Sequence, residues 1–283
     1  NALAVGGTAA GVAVAALLWP RRTASATVAP PSTHPATQPT TSHTTTPTVT
    51  MPTLPAVAPA EITASMSALD YDRAVVAAAI EGRVPASQGF ITATVTSPGH
   101  TGTFWCSKLP LTIGTDEAPF HAPLSAPSAQ RIADHFGYLL PTRKMVDVIH
   151  AQADVLVPFR AYTSARQSVS TYLASSAAIT QRIAGRKGLV SDYAKDYVIT
   201  NSRRSNPAKI AIYGAWDSQG TIVQPFAVPH ALTYCDYSQQ PRFVLNRVIV
   251  DGREMTLVDA LADATTAPLF SSEGPIVGAM LRY

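Results

Sequence analysis

The stretch VPHALTYCDYSQQPRF, residues 228–243, sets His230, Cys235, Asp236 and Ser238 within nine residues of one another. A histidine, a carboxylate and a hydroxyl are the parts of a nucleophilic relay, and a cysteine beside them offers a second nucleophile. Spacing decides whether they can act together. Read as one β-strand, the segment puts His230, Leu232, Tyr234, Asp236 and Ser238 on one face. At ~3.3 Å per residue His230 and Asp236 then stand about 20 Å apart, too far to hydrogen bond, whereas Asp236 and Ser238 are about 7 Å apart. A triad contained in the strand is excluded on that geometry.

A composite site is the remaining route to chemistry. His230 would be the general base, with Asp196 or Asp236 as its partner or as the acid. Asn201, Tyr213, Gln224, Tyr234, Ser238 and Arg242 would hold substrate, the tyrosines through amphipathic rings suited to sugars or peptides. A structural reading stands beside it: His230 satisfied by local backbone bonds, Asp236 by turn amides or Arg242, and the tyrosines packed on a sheet face.

Other chemistries lack their motifs. The chain has no GxSxG elbow, no HExxH, no phosphate loop and no dinucleotide glycine fingerprint. His100, His121, His135 and His150 are scattered over different elements, so neither a metal nor a cofactor is expected. A formal charge of +3 over 283 residues, with no basic aromatic stripe, gives no reason to expect nucleic acid.

The elements that must position these residues lie in residues 61–283, enough for one domain with a sizeable core. Helices are predicted from Ser67 to Gly82, from Ser128 to Gly137, from Thr142 into residues 145–153, and before Gly185, with a short one in the tail. GFITATVTSPGHTGTFWCS reads as a hairpin about SPGHTG. Later runs, including DYVITNS, KIAIYGAW, TIVQPFAV, ALTYCDYS and FVLNRVIVDG, read as strands. The expected class is α+β, a mixed or antiparallel sheet packed by three to four helices.

What precedes the domain points outward from the cell. Residues 2–19 are uncharged and apolar, near the ~20 residues of a spanning helix, with Trp19, Arg21 and Arg22 at the flank. A signal anchor within residues 1–22, a signal peptide cleaved after Ala26 and a buried helix are the three readings. Residues 23–60 are rich in Thr and Pro, as in surface stalks that do not fold. In an exported domain, Cys106 and Cys235 read most simply as one disulfide, with two separate buried thiols as the alternative.

The motifs SAQRIADHFGYLLPTRKMVDVIHAQADV, KDYVITN, PAKIAIYG, GTIVQP, YCDYS and SSEGPI, in that order, resemble a family of secreted bacterial single-domain proteins without an assigned reaction. The resemblance covers roughly residues 109–283. It implies an exported fold and a polar gathering that includes Lys195, Asp196, Asn201, Tyr213, Gln224, His230, Tyr234, Asp236, Tyr237, Ser238 and Arg242. The family pattern has histidine within 192–194 and at the positions of Trp216 and Gln239, where this chain has none. Tethering, stalk and polar cluster together suggest a hydrolase of peptidoglycan or another envelope polymer, held at the membrane through residues 2–19. The alternative is a non-catalytic surface module, or a structural surface or virion protein, that recognises a wall polymer or partner protein.

Overall fold

Three polar residues start helices by the same device. Ser67, Thr142 and Ser168 each accept a hydrogen bond from the backbone N–H three residues on. The computed structural model describes residues 61–283; the expected membrane segment and Thr/Pro tract lie outside the described residues. Helix α1 (Ala68–Ile80) leads into the hairpin β1 (Phe90–Ser97) and β2 (His100–Ser107), turning at Pro98 and Gly99. A short hairpin, β3 (Thr112–Gly114) and β4 (Pro119–His121), precedes α2 (Ala126–Phe136), β5 (Tyr138–Leu139) and α3 (Arg143–Ala151). Next come β6 (Val155–Leu156), α4 (Val169–Ile183), β7 (Val190–Ser191) and β8 (Lys195–Tyr197). The chain continues through β9 (Ile212–Trp216), β10 (Ile222–Ala227), β11 (Val244–Val250) and β12 (Arg253–Met255), then α5 (Leu257–Ala262) and α6 (Ala267–Phe270).

The largest sheet is antiparallel, in the order β1-β2-β11-β12, with β5 also paired to β11. A second antiparallel sheet, β10-β9-β8, carries three of the candidate site residues, Asp196, Tyr213 and Gln224, and β6 and β7 form a parallel pair. Phe90, Phe104, Phe120, Phe243 and Phe270 are fully buried in the main core. Burial of each such side chain contributes roughly 1.5–3 kcal/mol. At the free edge of β1, the Gln152 side chain takes a strand's place: its Oε1 accepts from the Thr94 N–H (3.1 Å) and its Nε2 donates to the Thr94 carbonyl (2.6 Å).

The α+β class holds, with three corrections. The described residues form six α-helices rather than three or four, because the tail splits into α5 and α6. Helix α2 begins at Ala126, two residues before Ser128, with Pro127 in its first turn. The run ALTYCDYS is not a strand. It follows β10 as turns and irregular backbone, held where the Lys195 N–H donates to the Ser238 carbonyl and the Tyr237 N–H to the Arg166 carbonyl.

The disulfide is also absent: Cys106 and Cys235 are both free thiols. Cys106 lies in the core on β2 near Arg242 and Asp196, and burial pushes its thiol up to about 12. Cys235 has other neighbours, Asp72, Tyr172 and Tyr197, and its thiol donates weakly to the Asp236 carbonyl. Chain unfolded in guanidinium without reductant is therefore expected to titrate two thiols with a chromogenic disulfide reagent. A count of zero would restore the bridge.

Candidate functional site

Asp236 is the centre of the stretch that first drew attention. The Ser238 hydroxyl (2.5 Å) and N–H (2.9 Å) donate to its Oδ1. Arg166 (2.5 Å) and the Tyr234 hydroxyl (3.2 Å) donate to its Oδ2. The carboxylate is 1% exposed and its accepting capacity is taken up by these four donors. His230 reaches it only through Tyr234, on whose ring the imidazole stacks at 3.9 Å. The 20 Å separation expected of a strand does not arise, because the loop folds back. Burial lowers the pKa of His230, with Asp236 opposing and Lys195, Arg166 and Lys209 adding to the fall. Lys195 is buried nearby, and burial lowers its pKa against the pull of Asp236. This arrangement makes Asp236 an organiser of the loop and leaves His230 without a carboxylate partner.

Around it lies a patch of rings and cations. Arg166 lies over Tyr237, Lys195 over Phe159 and Arg160 over Tyr162, at 5.5–5.9 Å from the ring centroids. Tyr237 also stacks on Phe159 and accepts from the Tyr162 N–H. Arg166, Phe159 and Tyr162 carry no local motif, and nothing in their spacing marks them as neighbours.

The other candidates disperse. Asp196, on β8, is buried behind the patch with Oδ1 unpartnered, facing Arg242. Arg242 is itself buried and donates to the carbonyls of Ser107 (2.5 Å) and Val190 (2.7 Å). Asn201 belongs to a capping network: its N–H donates to Glu273 and its amide to the Pro275 carbonyl. Gln224 lies on β10 and bonds the adjacent Pro225 carbonyl. Tyr213 donates to Asp147 (2.6 Å) and packs edge-on against Trp216.

Burial pushes the Asp196 carboxyl up to about 6. In the unfolded chain it ionises near ~3.9. Between those values the unfolded state has lost the proton and the folded state keeps it, so this group's contribution to stability falls as pH rises. His121, pushed down to about 3 by burial, works in the opposite sense up to the ~6.5 of a free histidine. The informative quantity is therefore a difference. Asp196→Asn is expected to gain about 2 kcal/mol on the native protein between pH 4 and pH 7, read by urea denaturation at both. A pH-independent difference would mean that Asp196 ionises normally.

Two carboxylate–histidine pairs are assembled among the described residues, His100 with the exposed Asp251 at 2.6 Å and His150 with an enclosed Asp192, and neither involves a residue singled out as catalytic. His150, in the last turn of α3, meets Asp192 Oδ1 with its Nδ1 at 2.7 Å. Asp192 is 3% exposed and His150 25%, so the acid is enclosed and the imidazole reaches outward. Burial pushes the Asp192 carboxyl up, and the hydrogen bond from His150 pulls it back. Trp216 lies flat on the imidazole at 4.0 Å, 7° from parallel. The backbone is strained to bring this about: Asp192 has φ +86° and Ala215 φ +60°, left-handed values that cost roughly 1–3 kcal/mol each outside glycine. Gly214, at φ +103°, leaves room where a Cβ would lie 3.3 Å from both the Trp216 ring and Val146. Phe159 joins this pair to the patch, its N–H donating to the Trp216 carbonyl (2.7 Å) and its ring stacking on Tyr237. No group of His, Cys, Asp and Glu among the described residues is arranged to hold a metal. Comparison with protein-family models, with curated proteins and with solved structures finds no match to this chain.

Proposed function

We propose that the chain is an extracytoplasmic hydrolase of a cell-envelope polymer, peptidoglycan or a surface polysaccharide, held at the membrane through residues 2–19. His150, rather than His230, is the general base. Asp192 keeps the Nδ1 proton in place, so the Nε2 lone pair is the one that takes a proton from water. The water oxygen attacks an acyl carbon of the polymer, and the imidazolium returns the proton to the departing amine or alkoxide. Amide and ester bonds suit a lone histidine base, whereas glycosidic cleavage generally uses two facing carboxyl groups. The cations and rings about Asp236 would grip an anionic polymer next to the base.

The observation that carries this reading is the enclosed Asp192 against the outward-reaching His150, at 2.7 Å and clamped by Trp216. A second reading, a non-catalytic recognition module, is favoured by the three cation-over-ring contacts alone. One assay separates them. Purified chain is incubated with bacterial cell-wall polymer, soluble fragments are identified by mass spectrometry, and protein in the pellet is measured. Fragments from the native chain that vanish with His150→Ala support the hydrolase. Pellet binding without fragments from the native chain sinks it in favour of the recognition module.

A further inference from the structure

A second concavity, away from the residues assigned above, has a volume of about 550 Å³, within the ~300–1,000 Å³ of small-molecule sites. Strand β4 supplies part of its wall. Pro119 and His121 both line it, two apart on one strand face, while Phe120 between them packs into the core. His121 is only 1% exposed. Its Nδ1 lies 3.1 Å from the Thr112 hydroxyl and 3.3 Å from that of Tyr193, neither of which lines the cavity. Thr112 spends its one proton on the Pro110 carbonyl (2.9 Å), so toward the imidazole it can only accept. Nε2 is left with no hydrogen-bond partner. The Thr180 hydroxyl, on the α4 side of the cavity, is buried and unpartnered as well.

Charges of both signs line the same space. Lys108, Arg186 and Lys187 contribute cations, Asp116 and Glu117 carboxylates, and no ion pair among the described residues involves any of the five, Arg186 donating instead to the Ile183 and Arg182 carbonyls. Asp116 holds one local bond, accepting from the Ser87 N–H at 3.0 Å. A simple anion would meet the carboxylates and a simple cation the lysines. A molecule carrying both charges matches the whole lining. We propose that this cavity binds a zwitterion of the amino-acid or short-peptide class, its carboxylate among Lys108, Arg186 and Lys187, its ammonium at Asp116 and Glu117, and a polar group on His121 Nε2. Such a ligand gives the orphaned ring nitrogen a partner and meets charges of both signs at the cavity rim.

Trialanine is the probe, with N-acetyl-trialanine and trialanine amide as controls that each lack one charge. Each is titrated into the purified 283-residue chain while His121 Nε2 is followed by long-range 1H–15N NMR. A saturable shift is expected with trialanine, and affinities weaker by roughly five- to tenfold for each blocked form. Lys108→Ala should weaken the free peptide but not the amide, and Glu117→Gln the free peptide but not the acetylated form, as a coupling cycle requires. Both positions are off the fully buried core, so these variants should fold. No saturable shift with trialanine, equal affinity for all three peptides, or indifference to both substitutions would each overturn the proposal.

Discussion

Asp192→Asn is expected to lower the release of cell-wall fragments by about 10²- to 10⁴-fold, the range spanned by general-base catalysis and by loss of the correct histidine tautomer. The melting temperature should change by only a few degrees. Asparagine is the right replacement for two reasons. It tolerates the left-handed backbone that Asp192 adopts at φ +86°, and it keeps the side-chain shape beside His150. What it loses is the charge that steadies an imidazolium and the acceptor-only character that fixes the proton on Nδ1. An amide can turn its NH2 toward Nδ1 and so place the proton on Nε2, the atom that must be bare to take one. Fragment release is measured by mass spectrometry under initial-rate conditions, with thermal denaturation alongside. Unchanged release would remove Asp192 and His150 from the mechanism.

The second large effect is on stability. Asp236→Ala is expected to cost about 2–3 kcal/mol, since the buried donors it leaves unsatisfied carry roughly 1–3 kcal/mol while Arg166, 42% exposed, rehydrates. Its carboxylate is the common acceptor for Arg166, Tyr234, Ser238 Oγ and the Ser238 N–H. Without it, Lys195 loses the counter-charge that offsets its burial. For a domain of this size that loss lowers the melting temperature by about 10 °C. The outcome also separates two roles. A catalytic Asp236 would lose turnover on conversion to asparagine while keeping its melting temperature, whereas an organiser loses stability first and activity as a consequence.

Much of the fold was legible because its signals are local. Caps at Ser67 and Thr142, the Pro98-Gly99 turn and the glycines after α1 and α2 each act within a few residues. The loop after β10 misled for a physical reason. Leu232, Tyr234, Asp236 and Ser238 alternate as a strand would, yet Asp236 bonds its own chain two residues on and so favours a turn. The cysteine count misled likewise, since a pair of thiols in one chain carries no information about whether their surroundings coincide. His150 and Asp192 were invisible for a different reason. They are 42 residues apart, on a helix and in a short turn, and neither type nor spacing links them. Arg166 lies in the turn before α4 and reaches across to the loop, a contact no local pattern announces.

The Gln152 amide on β1 has a consequence for how the protein behaves at high concentration. A sheet edge with free N–H and C=O groups is a template on which another copy can add a strand. At Thr94 both groups are already engaged by a side chain of the same molecule. A second copy would have to displace two hydrogen bonds before it gained any. At high concentration, such molecules are guarded at that point against zipping together into fibrils.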